Sequence, residues 1–163
     1  VMRILGLDPG SRKTGVGIIE GERLIHAETI RLGGGPMPER LGLIFTEVQR
    51  LIAEHQPGVA AVETVFMSRN AQAAIKLGQA RGAAICAAVG AGLEVHEYAP
   101  RAIKQAIVGR GGAGKEQIQH MTRVLLKIES DLGEDAHDAL AAALCHHHTA
   151  QTASRLPPGV VLR

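Results

Sequence analysis

The sequence predicts an α/β fold, a mixed sheet of five short strands with helices packed on it. Three observations lead there. Residues 3–20, RILGLDPGSRKTGVGIIE, read as an apolar strand, a glycine-rich turn and a second strand running back. Residues 22–32 alternate through Leu24, His26, Glu28, Ile30 and Leu32, which makes a third strand, antiparallel to the second. Beyond them, helical periodicity alternates with short apolar runs, and a strand, crossover helix and strand favour parallel pairing.

The first strand, Arg3 to Leu7, is short, apolar and ends at Asp8. A carboxylate at the end of a buried run costs roughly several kcal/mol if left without a partner. Asp8 alone is plausible as a turn cap, so its meaning depends on what other acids reach it. Gly33-Gly34-Gly35-Pro36 breaks the third strand. A helix follows from about Pro38 to Gln56, with Leu41, Ile44, Phe45, Val48, Leu51 and Ile52 on one face. Pro57-Gly58 stops it. Val59 to Glu63 is a fourth strand that ends in a carboxylate, as the first does. Ligands in such sheets sit at the carboxyl ends of strands.

Residues 64–70, TVFMSRN, form a loop carrying Phe66 and Arg69. A helix from about Ala71 to Val89 is rich in Ala and Gly and bears Lys76 and Arg81. Its Gly78-x-x-x-Gly82 surface suits close packing on the sheet or across a two-fold axis. Leu93 to Tyr98 is a fifth strand. Helices are expected from Pro100 to about Val108, Lys115 to about Lys127, and Glu134 to about Ala150. Thr152 to Arg163, with Pro157-Pro158-Gly159, reads as a frayed tail. One composition regime runs throughout, so residues 1–150 are expected to form a single domain and 151–163 a flexible C-terminal tail.

The chain has 163 residues, enough for one real core, and a formal net charge of +2. The distribution of charge says more than its sum. Residues 101–127 hold six bases against Glu116 alone, and residues 128–138 hold five acids and no base. A basic stretch followed by an acid cluster suits an enzyme that grips a polyanion and holds cations, although a solvated, uneven surface reads the same way. Cys86 and Cys145 lack metal-site spacing and read as small buried hydrophobes in a reducing compartment. With no apolar run of membrane-spanning length and no leader-like segment, a soluble cytoplasmic protein is expected.

The last helix opens Glu134-Asp135-Ala136-His137-Asp138. Asp135 and Asp138 share a face at i,i+3, and Glu134 and Asp138 share one at i,i+4, so spacing does not choose between the pairs. Acids in a first turn also favour the helix dipole. Together with Asp8 and Glu63 these residues could converge. Four bare carboxylates in one cleft would repel and raise one another's pKa; divalent cations reverse that logic. All-oxygen ligands suit Mg²⁺ or Mn²⁺ rather than Zn²⁺. The run His146-His147-His148 does not suggest a metal site, because consecutive helical residues point about 100° apart.

Three meandering strands, a helix, a fourth strand ending in Glu and a late helix with Asp-x-x-Asp resemble the ribonuclease H-like nuclease fold. More narrowly, GLDPGSRKTG, VETVFM, KLGQARG, the stretch from Lys104 to Met121, and DAHDALAAAL resemble the bacterial RuvC family of four-way (Holliday) junction resolvases, over about residues 3–148. The resemblance implies a five-stranded mixed sheet in the order 3-2-1-4-5 with helices on both faces. It implies a homodimeric Mg²⁺-dependent endonuclease, with two ions per active site and Mn²⁺ as a substitute, that nicks opposed strands of junction DNA in recombination and repair. It also implies a branch-migration motor complex as partner. Carried onto this chain, it makes Asp8, Glu63, Asp135 and Asp138 the catalytic and metal-binding residues, choosing Asp135 over Glu134. His137, about 200° around the helix from Asp135, is read as a neighbour rather than a ligand. Lys104 and Lys115 match bases used on DNA near the scissile phosphate, and Phe66 matches an aromatic that stacks on bases. Arg69, Lys76 and Arg81 are further expected DNA contacts. A related ribonuclease H-like nuclease acting on structured RNA is the alternative.

Overall fold

The computed structural model describes residues 1–64 and 70–160. Five strands form one sheet: β1 (Arg3–Asp8), β2 (Lys13–Glu20), β3 (Arg23–Arg31), β4 (Val59–Glu63) and β5 (Glu94–Tyr98), in the order β3-β2-β1-β4-β5. The first three strands run antiparallel in sequence, and β4 and β5 lie parallel to β1. This is the expected order. Between and after them come α1 (Met37–His55), α2 (Ala71–Gly90), α3 (Pro100–Val108), α4 (Lys115–Leu126) and α5 (Glu134–Arg155).

Strand alternation sends successive side chains into two cores. Leu5, Leu7, Val16, Ile18, Ala60 and Val62 face α1 and α2, where Ile44, Val48, Leu51, Ala80 and Ala84 cover them. Ile4, Ile19, Val59 and Ala61 face the other way, against Leu140 and Leu144 of α5, Ile103 and Ile107 of α3 and Leu126 of α4. At about 25 cal/mol per Å² of apolar area removed from water, both layers contribute substantially to folding. Asn70 caps α2, its side chain accepting a 2.8 Å bond from the Ala73 amide.

The close seat of α5 on β1 and β2 positions the acids. A Cβ on Gly6 would run into the Ala139 carbonyl, and one on Gly15 into the Asp135 carbonyl. No residue but glycine lets the helix backbone lie directly on the strands here. The helix meets them with small side chains: Ala136, Ala139, Ala142 and Ala143 are buried.

Three local expectations are corrected. α5 runs to Arg155 rather than stopping near Ala150, because nothing between Gln151 and Arg155 breaks a helix before Pro157. Cys86 is exposed rather than buried; α2 is nearly apolar all round, so its buried stripe could not be told from its open one. β5 begins at Glu94, with Leu93 packed into the core just before it.

Candidate active site

Leu7 sits beside Val62 in the parallel register of β1 and β4. The next residues, Asp8 and Glu63, therefore lie side by side at the carboxyl ends of adjacent strands. Gly6 and Ala61, two residues earlier on each strand, face α5, so alternation turns both carboxylates to that face. On the other side of β1, Asp8 is opposite Gly15 in the antiparallel register. Gly15 is the residue on which the Asp135 carbonyl rests. One glycine thus brings the opening turn of α5 onto the end of β1. Thr14 braces the intervening turn: its buried hydroxyl donates to the Gly10 carbonyl at 3.2 Å.

The electrostatics record the convergence. The Asp8 carboxyl is pushed up from its ordinary 3.8 to about 8, first by burial and then by the charges of Asp138, Asp135 and Glu63, with a side-chain hydrogen bond to Asp135 adding to the rise. Glu63 is raised by burial and then by Asp138, against the opposing charges of Lys115, Lys104 and Arg81. Asp138 is raised by burial, while Lys115 opposes and Glu134 and Asp135 add. Lys115 Nζ pairs with Glu134 and lies 3.4 Å from Asp138 Oδ2. Its burial lowers its pKa, but the bond to Glu134 and the Asp138 charge outweigh that, and the net shift is upward.

Among the described residues no three His, Cys, Asp or Glu side chains are drawn together as closely as a finished metal cage. The donor chemistry nonetheless fits a hard divalent cation. The facing groups are carboxylates, and Asp8, Glu63 and Asp138 carry raised pKa values that a cation would reverse.

The structure brings Asp8, Glu63, Asp135 and Asp138 into one electrostatic cluster. Glu134 is left exposed, paired with Lys115. His137 is 6% exposed and lies on the α4 side of α5, lining a cleft with Gln119, Arg123 and Asp131. Burial, then Arg123, lowers its pKa, against Asp131. Lys104 is half-buried, its charge felt at Glu63. Lys76 is exposed on α2. Phe66 and Arg69 lie outside the described residues. His146 accepts or donates a 2.5 Å bond with the Tyr98 hydroxyl, and His148 reaches the Ala106 carbonyl and Glu22, so these histidines join α5 to its neighbours.

Arg81 departs from expectation. Its side chain is 16% exposed and bonds the Glu63 backbone carbonyl through one nitrogen and Glu97 at 2.5 Å through another. It therefore braces the end of β4 rather than presenting a free cation to DNA. Sequence carried no signal for this role, because a basic residue on an apolar helix reads as a surface group whichever way it points.

A family model for "Crossover junction endodeoxyribonuclease RuvC" matches residues 4–146. A relative from Alkalilimnicola ehrlichii, named crossover junction endodeoxyribonuclease RuvC, is 54% identical over 158 residues, spanning 94% of this chain and 96% of its own. Thermus thermophilus RuvC, solved in complex with a Holliday junction substrate, aligns with a TM-score of 0.88 at 35% identity over 94% of this chain and 98% of that one. A yeast mitochondrial Holliday junction resolvase shares the fold at 12% identity, with a TM-score of 0.63 over 94% of this chain and 81% of that one. The architecture is ribonuclease H-like, and the chain belongs to the RuvC family of crossover junction endodeoxyribonucleases.

Proposed function

We propose that this protein resolves four-way DNA junctions by paired nicks on opposed strands, hydrolysing phosphodiesters to 5′-phosphate and 3′-hydroxyl ends. The observation that carries the reading is the crowding of Asp8, Glu63, Asp135 and Asp138 on one face of the sheet, with Asp8 raised to about 8. The family match favours junction DNA over structured RNA.

In this reading Asp8, Glu63, Asp135 and Asp138 would together hold two Mg²⁺ ions, with Mn²⁺ as a substitute. When bound, such ions supply Lewis-acid activation of water and neutralise charge on the departing 3′ oxygen. The chain's own residues do the rest. Asp8, whose carboxyl is raised to about 8 and hydrogen-bonded to Asp135, would give up its proton on taking up a cation. Lys115 neutralises Glu134 and Asp138 and is placed to exchange them for a phosphate oxygen. Lys104, beside Glu63, holds the same strand. Phe66 stacks on bases near the crossover, and Arg69 and Lys76 add backbone contacts.

Two opposed nicks need two sites facing one junction, so the working form is a homodimer. Exposed Ile75 and Val89 and the open surface at Gly78 and Gly82 support α2 as the face at or beside the two-fold axis. The domain runs through the end of α5 at Arg155, with the residues after it as a tail. A branch-migration motor is the partner that delivers the junction, and the cytoplasm is the site of action; no helix among the described residues is long and apolar enough to cross a membrane.

The test is a nicking assay on a synthetic four-way junction with and without Mg²⁺. Symmetric nicks that need the metal are expected, and Asp8→Asn is expected to bind the junction without cutting it. Near wild-type cutting by Asp8→Asn, or no Mg²⁺-dependent nicking, contradicts the reading.

A further inference from the structure

The catalytic acids have bases on one side, Lys104 and Lys115, that the preceding section uses. The other side carries a second basic group to which no role has been given. Lys13 begins β2, two residues before Gly15, and strand alternation puts it on the same face as Gly15 and the opening turn of α5. Its charge is felt at Glu134. Across the strands Lys13 is paired with Arg31 of β3. Like charges directly opposite in an antiparallel pair oppose sheet formation, so something other than strand stability accounts for that pairing. Arg12, on the turn, lines the same surface cleft as Lys13 and Arg31, with Gly33 and Gly34 leaving its wall free of side chains.

All three bases are exposed, and none makes an ion pair with a carboxylate among the described residues. The backbone beneath them is held firmly. The Leu32 amide donates to the Arg12 carbonyl at 2.9 Å. Arg40 bonds the Ser11 carbonyl at 3.2 Å and the Gly35 carbonyl at 2.6 Å. The cations are therefore presented from a braced turn, next to the residue opposite which Asp8 sits.

We infer that Arg12, Lys13 and Arg31 form a second phosphate-binding patch that grips the DNA backbone on the β2–β3 side of the catalytic acids. The scissile strand is then clamped from both sides of Asp8, by Lys104 and Lys115 on one flank and by this patch on the other. The inference rests on the nuclease reading above.

The experiment measures junction affinity against salt, from 50 to 300 mM without divalent ions, for the wild type, Arg12→Gln/Lys13→Gln/Arg31→Gln and Arg12→Lys/Arg31→Lys. The glutamine variant should lose about tenfold or more in affinity near 100 mM salt. Its log–log slope should flatten by about 0.9 for each phosphate contact removed, up to about 2.7. The lysine variant should keep the wild-type slope. Thermal melting of the glutamine variant should match or exceed wild type, since like-charge repulsion is relieved; if it melts lower, the single Arg12→Gln on the turn is read in the same way. An unchanged affinity and slope in the glutamine variant overturns the patch while leaving the nuclease reading intact, and so does a lysine variant as weak as the glutamine one. A wild-type protein that neither binds nor nicks the junction removes both.

Discussion

The two ends of the β1–β2 strand pair each carry a carboxylate, in opposite conditions. At one end Arg3 is opposite Glu20, and Glu20 also bonds Arg23 at 2.5 Å; the Glu20 carboxyl is held below its ordinary pKa first by Arg23 and then by Arg3. At the other end Asp8 is opposite Gly15, and the space that a side chain would have filled admits the Asp135 backbone carbonyl, which brings the Asp135 carboxylate within hydrogen-bonding reach of Asp8. Asp8 rises to about 8 where Glu20 falls. One end is electrostatically complete without a ligand. The other is complete only with protons or cations, which is how a fold stores a binding site.

The comparison breaks most visibly at Asp8. Asp8→Asn is expected to lower cleavage by roughly a thousandfold or more, about 4 kcal/mol of transition-state stabilisation. The same change should help folding. Because the folded Asp8 holds its proton up to about pH 8 and the unfolded one only to about 4, the native state binds the extra proton between those values. Native stability therefore falls as pH rises through that window. Metal-free Asp8→Asn escapes that fall, and at pH 8 it should melt on the order of 5 °C above wild type by calorimetry, with the gap closing toward pH 4.

Gly15→Val attacks the geometry instead of the charge. Its side chain meets the Asp135 carbonyl, so α5 must shift, at about 3 kcal/mol by denaturant titration. Gly21→Val, on an open turn, is not an equivalent control because of its positive φ; Gly42→Ala on α1, where nothing lies within 4 Å, is a fair one. Arg81→Ala sharpens the contrast further. It removes charged hydrogen bonds to the Glu63 carbonyl and Glu97, so single-turnover cleavage should fall about tenfold while junction affinity and its salt slope stay put. A loss of affinity with unchanged turnover would make Arg81 a DNA contact after all. At the satisfied end, Glu20→Gln should leave thermal melting nearly unchanged and cleavage alone, because solvent screens the pairs it removes.

Much of this could be read from the residues, for identifiable reasons. β1, β2 and β4 are short apolar runs bounded by turn residues, and Asp8 and Glu63 stand out because they end such runs. The strand order came from resemblance, since local pattern leaves open which strands neighbour one another. The choice between Glu134 and Asp135 was not legible from periodicity. It depends on Gly15, 120 positions away, which lets one particular carbonyl of α5 rest on the sheet. The bracing contacts of Arg81 and the exposure of Cys86 were not legible for a common reason: α2 buries Ala80, Ala84, Ala87 and Ala88 and exposes residues of similar hydropathy, so its orientation is decided by the sheet and not by its own pattern. The opposition of Lys13 and Arg31 likewise appears only once the β2–β3 register is known.

The most direct test is a carbon-13 NMR titration of the Asp8 side-chain carboxyl, metal-free and with saturating Mg²⁺. The account predicts a midpoint near 8 without metal that falls by several pH units when Mg²⁺ is added. A metal-free midpoint near 4, unmoved by Mg²⁺, would mean that the acids of β1, β4 and α5 do not share one site.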